Sequence, residues 1–177
     1  LSLLNVSAMS YGALSKNAIE ALNWGAKTGG FAHNTGEGAI SPYHETHQGD
    51  LIWQIGTAYF GCRTAEGNFC PESFKEKAGK DNVKMIEIKL SQGAKPGHGG
   101  ILPAEKNTPE IAKIRQVPVH QTVMSPGFHS AFSGHSGLID FIKELRDLSG
   151  GKPIGIKLCV GNPEELNELC IEMKNRQ

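Results

Sequence analysis

The sequence predicts an α/β fold, a parallel sheet or barrel of strand and helix units, and three observations predict it. Runs of β-type residues alternate with amphipathic helical runs about five times along 177 residues. The loops that leave the strands carry the unusual residues, and glycine, with 22 positions, stands well above its usual share of about 7%. Two strands also repeat one pattern, Ile86-Glu87-Ile88-Lys89-Leu90 and Ile154-Gly155-Ile156-Lys157-Leu158. Alternation of this kind places chemistry at the C-terminal ends of the strands.

Residues 3–9 read as the first strand, left by a loop over Ser10 to Leu14. Ser15 is a good N-cap for a helix carried by Ala18, Ile19, Leu22 and Ala26 and ended by Gly29-Gly30. Residues 31–34 form a second short strand, leading into Thr35-Gly36-Glu37-Gly38. Two β-type runs, 51–55 and 59–62, surround Gly56-Thr57-Ala58 as a hairpin-like excursion. Pro71 opens a short charged helix over 72–78, and 83–90 is the third strand. Four glycines, a proline and Lys95 then make Gln92-Gly93-Ala94-Lys95-Pro96-Gly97-His98-Gly99-Gly100 a shaped loop in which bare backbone admits an anion or a planar ring.

Thr108-Pro109 start a helix over Ile111, Ala112 and Ile114, and 119–124 is the fourth strand, ending at Ser125-Pro126-Gly127. Leu138, Phe141, Ile142, Leu145 and Leu148 share one face of the next helix, stopped by Gly150-Gly151. Residues 153–160 are the fifth strand. Asn162-Pro163-Glu164-Glu165 supplies a cap, a first-turn proline and acids for the last helix.

With a side-chain period of two, Ile86, Ile88 and Leu90 face one way while Glu87 and Lys89 face the other, and Gly155 and Lys157 behave likewise. If the isoleucines pack on helices, both lysines point inward. An unpartnered ammonium is costly in an ordinary buried sheet, but at a barrel mouth it can meet a carboxylate, a phosphate or the electron-rich edge of a cofactor. The alternative is that Lys89 pairs with Glu37 or Glu87 for structure alone.

Composition excludes several classes. Eighteen basic and 18 acidic side chains cancel and are scattered, so no basic footprint for nucleic acid exists. No apolar run approaches the roughly 20 residues of a membrane span, and the N-terminus lacks a signal-peptide pattern, which points to a soluble, cytoplasmic protein. Cys62, Cys70, Cys159 and Cys170 match no common zinc or iron–sulfur spacing and read as reduced thiols. Asn5-Val6-Ser7 is formally a glycosylation sequon, discounted for want of a secretion signal. The first residue is Leu1, which points to a piece of a longer chain.

Ala8-Met9-Ser10-Tyr11-Gly12-Ala13-Leu14-Ser15, Asn34-Thr35-Gly36-Glu37-Gly38, the loop from Gln92 to Gly100 and Ile111-Ala112-Lys113-Ile114-Arg115 together resemble the FMN-binding synthase domain of glutamate synthase and its shorter relatives. The matches fall in the family's order over nearly the whole chain. The resemblance implies that residues 1–177 form one incomplete (β/α)8 barrel domain, its N-terminal five or so units. It also implies FMN at the C-terminal mouth, where ammonia and 2-oxoglutarate give 2-iminoglutarate and then L-glutamate. Carried over by position, Ala8, Met9, Ser10, Asn34, Gln54, Lys89 and Lys157 contact the flavin. Lys95, Arg115 and Glu37 fall in the site for 2-oxoglutarate or another keto acid, with Lys89, Lys95 and Glu37 in catalytic roles. An electron-donor protein or an NAD(P)H-oxidising subunit is implied as partner. The family's iron–sulfur cysteine motif is absent from this chain, so that cluster is an expectation only for a full-length relative.

Two positions depart from the family pattern: His98 replaces the acid of Pro-Gly-Glu-Gly-Gly, and Ile101 stands where a substrate-site glutamine follows the loop. An apolar side chain cannot replace an amide that hydrogen-bonds a carboxylate. A flavin- or anion-binding regulatory barrel without glutamate-forming turnover is therefore a second reading, and a non-flavin barrel acting on phosphorylated substrates a third. His44 and His47 read as solvated loop histidines rather than metal ligands, His129 and His135 as residues that shape a loop, and Cys159 as a residue of the barrel interior.

Overall fold

The computed structural model describes residues 2–94 and 97–176. Four strands, β1 (His33–Asn34), β2 (Leu51–Ile55), β3 (Val83–Lys89) and, near the C-terminus, β6 (Ile154–Lys157), form one sheet in the order β1-β2-β3-β6, every pair parallel. That order runs with the chain and never reverses, as in a (β/α)8 barrel and unlike a doubly wound sheet. The sheet is a partial barrel wall that does not close.

The helices follow the expected signals. Ser15 caps α1 (Lys16–Gly29), its hydroxyl accepting from Ala18 N–H, and Gly30 ends it in the left-handed conformation. Proline opens α3 (Pro71–Ala78), α4 (Pro109–Arg115) and α6 (Pro163–Asn175), where its missing N–H costs nothing. Asn162 caps α6 through Glu164 N–H. The amphipathic face of α5 (Gly134–Leu148) buries Leu138, Phe141, Ile142 and Leu145. These pack with Phe74 and Ala78 of α3 and Leu169 of α6 on Trp53, Ile55, Ile86 and Ile88 of the sheet. Trp53 stacks on Phe74 at 5.4 Å between ring centroids.

The isoleucine face of β3 therefore does meet helices. An irregularity between Leu51 and Ile52 lets β3 carry one extra residue, pairing Leu51 with Val83 and Ile52 with Met85. Val83, Ile86 and Ile88 thus all reach the helix layer, while Glu87 and Lys89 take the opposite face beside Gly155 and Lys157.

Three expected strands change. Of residues 3–9 only Val6 pairs, bridging to His33 through Val6 N–H to Ala32 O at 2.8 Å and Asn34 N–H to Val6 O at 3.1 Å. Leu3 and Leu4 are exposed and have nothing to pack against. Residues 59–62 form consecutive turns, because Tyr59 and Gly61 adopt φ of 50° and 85° and cannot continue a strand. Within 119–124, only β5 (Val123–Met124) is extended, and it pairs antiparallel with β4 (Ile101–Leu102) in a separate two-stranded sheet. The stretch from β4 through the 3-10 turn Ala104–Lys106, α4 and β5 is an excursion inserted between β3 and α5, not a barrel unit. A one-turn helix absent from the expectations, α2 (Pro42–Glu45), follows Ser41. Among the described residues, no helix is long and apolar enough to cross a membrane.

Candidate functional site

Asn34, Gln54, Lys89 and Lys157 lie at or one residue before the C-terminal ends of β1, β2, β3 and β6. One polar side chain per strand, on four adjacent strands, is the arrangement from which barrel sites are built. Glu87 organises the floor: its Oε1 accepts from Asn34 Nδ2 at 2.8 Å and from Gln54 Nε2 at 2.6 Å. Asn34 Oδ1 in turn accepts from Gly36 N–H at 3.0 Å, which fixes the amide's orientation.

Above that floor Lys89 Nζ donates to Glu37 Oε1 at 2.6 Å, with the two side chains 11% and 23% exposed. Glu37 reaches this position because Gly56 has no side chain: a Cβ there would come within 2.4 Å of Glu37 Oε2. Gly36, at φ 64°, likewise lets the N-terminal loop lie against it, since a Cβ would sit 2.8 Å from Ser10 N and 3.0 Å from the Met9 carbonyl carbon. In that way Ala8, Met9 and Ser10 are laid beside the loop that bears Glu37.

A cleft of about 260 Å³ opens next to the pair, lined by Ser10, Glu37, Gln92, Ile101, Lys106 and Arg115 among others. Arg115, the last residue of α4, is only 8% exposed. Its Nη2 donates to Tyr11 O at 3.2 Å, its guanidinium carbon stands 5.1 Å from the Phe60 ring centroid, and its buried Nε has no partner among the described residues. Burial lowers the guanidinium pKa, and the Glu37 carboxylate opposes that shift. Ile101 is 59% exposed on the cleft's rim. His98 lines an adjoining crevice with Lys89, Ser91 and Gln92. Lys95 lies outside the described residues.

The structure thus brings together Asn34, Gln54 and Glu87, then Glu37 and Lys89, then Ser10, Glu37 and Arg115. Lys157 is the register partner of Lys89, and its ammonium forms no ion pair among the described residues. Of the two acids weighed for Lys89, Glu37 is the partner. Sequence reasoning gave Glu87 no place in the site, although its parity with Lys89 put it on the same face. It missed Lys106, Phe60 and Ser125 in the cleft, and for the last two no local signal exists.

His44 is buried rather than solvated, because its Nδ1 accepts from Ser41 N–H at 3.0 Å and so caps α2. Among the described residues no group of three His, Cys, Asp or Glu converges on a metal position. His129 shapes its loop: Nε2 donates to Lys89 O at 2.9 Å, and Nδ1 lies 3.1 Å from the Tyr59 hydroxyl. Because the Lys89 carbonyl can only accept, Nε2 carries the proton and Tyr59 donates to Nδ1. Cys159 lies past the end of β6 and lines a crevice with Leu138, Leu166 and Leu169 instead of the interior.

One substitution tests the Glu37 geometry. Gly56→Ala is expected to cost about 1–3 kcal/mol of stability, since the methyl group must push Glu37 off Lys89. Gly25→Ala, on exposed α1 with open space around the added carbon, is expected to gain about 0.5–1 kcal/mol. Urea midpoints of both variants check the contrast.

Parallel strand and helix units with polar groups gathered at the strand C-termini define the barrel class whose ligand sites lie at that mouth. The particular family follows from comparison: a family model described as the conserved region in glutamate synthase matches residues 1–176, and this chain belongs to the glutamate synthase family. The glutamate synthase large subunit-like protein YerD of Bacillus subtilis (strain 168) is 45% identical over 173 residues, 97% of this chain and 33% of that protein. The archaeal-type glutamate synthase (NADPH) of Thermotoga maritima is 35% identical over 153 residues, 86% of this chain and 28% of that protein. The archaeal glutamate synthase (NADPH) of Methanocaldococcus jannaschii is 32% identical over 154 residues, again 86% and 28%. The chain therefore spans about a third of the length of the curated relatives it matches.

Proposed function

We propose that the full-length protein is a cytoplasmic FMN-dependent oxidoreductase of glutamate synthase type, forming L-glutamate from 2-oxoglutarate and ammonia by way of 2-iminoglutarate, and that residues 1–177 are one partial barrel domain of it. The observation that carries this reading is the row Asn34, Gln54, Lys89 and Lys157 at four adjacent strand ends, next to a cleft holding Arg115 and Glu37. These residues fit a flavin. Amides and ammonium groups suit its carbonyl-bearing edge, and the loop Ala8-Met9-Ser10, settled on bare Gly36, offers backbone for a ring to lie against. When bound, FMN would supply hydride transfer to C2 of the imine.

The chain's own residues supply the rest. Lys89 and Lys157 hold positive charge where negative charge accumulates on reduction. Arg115, with Lys95, binds a carboxylate, the guanidinium offering two parallel N–H donors from its place beside the Phe60 ring. Glu37, anchored through Oε1, keeps Oε2 as an acceptor for the N–H of the imine, which steadies its positive charge. Electrons come from a donor protein or an NAD(P)H-oxidising subunit, and an iron–sulfur cluster, where one exists, is held by parts of the protein beyond this chain.

The full-length protein is expected to be yellow and to form glutamate from ammonia, 2-oxoglutarate and a reductant. A colourless folded protein removes the reading. Exposed Ile101 on the cleft rim favours the second reading, a flavin- or anion-binding barrel without turnover; a yellow protein that makes no glutamate would establish it.

A further inference from the structure

The cleft contains a second cation that no sequence argument assigned. Lys106 closes the 3-10 turn Ala104–Lys106, and that turn is rigidly held. Lys106 N–H bonds Pro103 O at 3.0 Å, and Ala104 N–H bonds Thr122 Oγ1 at 3.2 Å. The next residue, fully buried Asn107, ties the turn down through Nδ2 to Pro118 O at 2.7 Å and Gln121 O at 2.8 Å. The ammonium itself enters no ion pair among the described residues.

Arg115 and Lys106 line one cleft from different elements. Arg115 is deep and beside Glu37, whereas Lys106 is exposed on the rim. Apolar Ile101, Leu102 and Val123 line the same cleft. Its volume, about 260 Å³, lies just below the usual range for small-molecule sites and suits a metabolite of a few carbons. Two separated cations joined by an apolar wall match a short chain with an anionic group at each end.

We propose that Lys106 binds the distal carboxylate of the substrate while Arg115 takes the carboxylate next to the reacting carbon, so that Lys106 sets the preference for dicarboxylic over monocarboxylic 2-oxo acids. The proposal rests on the reading of this cleft as the keto-acid site. It also gives the distal carboxylate a partner where Ile101 supplies none.

The test is equilibrium binding, by calorimetry, of 2-oxoglutarate and of monocarboxylic 2-oxobutyrate to the full-length protein and three variants. Lys106→Gln is expected to weaken 2-oxoglutarate about two- to five-fold, the scale of an exposed ion pair, and to leave 2-oxobutyrate unchanged. Lys106→Arg is expected to restore the preference, and Arg115→Gln to weaken both ligands. If Arg115→Gln weakens both while Lys106→Gln leaves their ratio unaltered, the role of Lys106 is overturned and the keto-acid site stands. If neither variant alters binding, or 2-oxoglutarate does not bind, the site reading fails and the proposal with it.

Discussion

Lys89→Met in the full-length protein is expected, on the proposed glutamate-forming reaction, to lower turnover about 100- to 1,000-fold, the usual loss when a preorganised charge at a reacting centre is removed. The same change is expected to cost about 1–3 kcal/mol of stability, because Glu37 loses its partner at 2.6 Å while still largely screened from water. These two losses have different origins and a double variant separates them. Removing the carboxylate as well, in Glu37→Gln/Lys89→Met, abolishes the uncompensated charge and is expected to recover most of the stability. Turnover is expected to stay low, since neither the ammonium nor the carboxylate's negative charge is restored. If the double variant regains turnover along with stability, the pair serves structure alone, and the inward lysine has no chemical role. Visible spectra of both variants add a second measure, because a lysine against the proposed flavin shifts its absorbance and a remote one does not.

The inward direction of Lys89 and Lys157 was legible because strand parity is local: once Ile86 and Ile88 meet helices, their neighbours have one other face to take. Helices α1, α5 and α6 were legible for the same kind of reason, caps and periodicity lying within a few residues of one another. What escaped was decided by distant partners. Nothing near Val6 says that only one residue of its run finds a strand to pair with. Residues 59–62 have strand composition, yet Tyr59 bends at φ 50° and its hydroxyl accepts from Ala131 N–H, 72 positions away. The pairing of Val123–Met124 with Ile101–Leu102 depends on an excursion whose closure no short pattern announces. Glu37 and Lys89 meet across 52 residues, and the glycine that admits the carboxylate, Gly56, looks in sequence like an ordinary turn residue.

Acid is expected to destabilise this fold steeply, and the cause lies on the helix side of the sheet. His33 of β1 and His44 of α2 are both fully buried, their ring centroids 5.2 Å apart. Neither ring nitrogen of His33, nor Nε2 of His44, has a partner among the described residues. Burial lowers His33 to about 4, and burial together with the neighbouring His33 lowers His44 to about 3. His129 is shifted in the same direction, again chiefly by burial. In the unfolded chain each imidazole takes up a proton near pH 6.5, while the folded protein keeps His33 and His44 neutral down to about pH 4. Stability is therefore complete above about pH 7 and falls as the pH drops below 6.5, because the unfolded state binds more protons. Each group contributes a slope of about 1.4 kcal/mol per pH unit, so His33 and His44 together approach about 2.7 kcal/mol per unit between pH 5.5 and 4.5. Protonation of His44 has a further consequence: Nδ1 could no longer accept from Ser41 N–H, and α2 would lose its cap. His33→Phe keeps a ring of similar size in place and removes one titrating group. It is expected to leave the unfolding free energy near pH 8 within about 1.5 kcal/mol of the parent, the ring swap being close in shape, and to remove about 1.4 kcal/mol per pH unit, one group's share, from the slope between pH 5.5 and 4.5. A slope unchanged in the variant would mean that His33 is protonated in the folded state, and that the buried pair is not what limits the fold in acid.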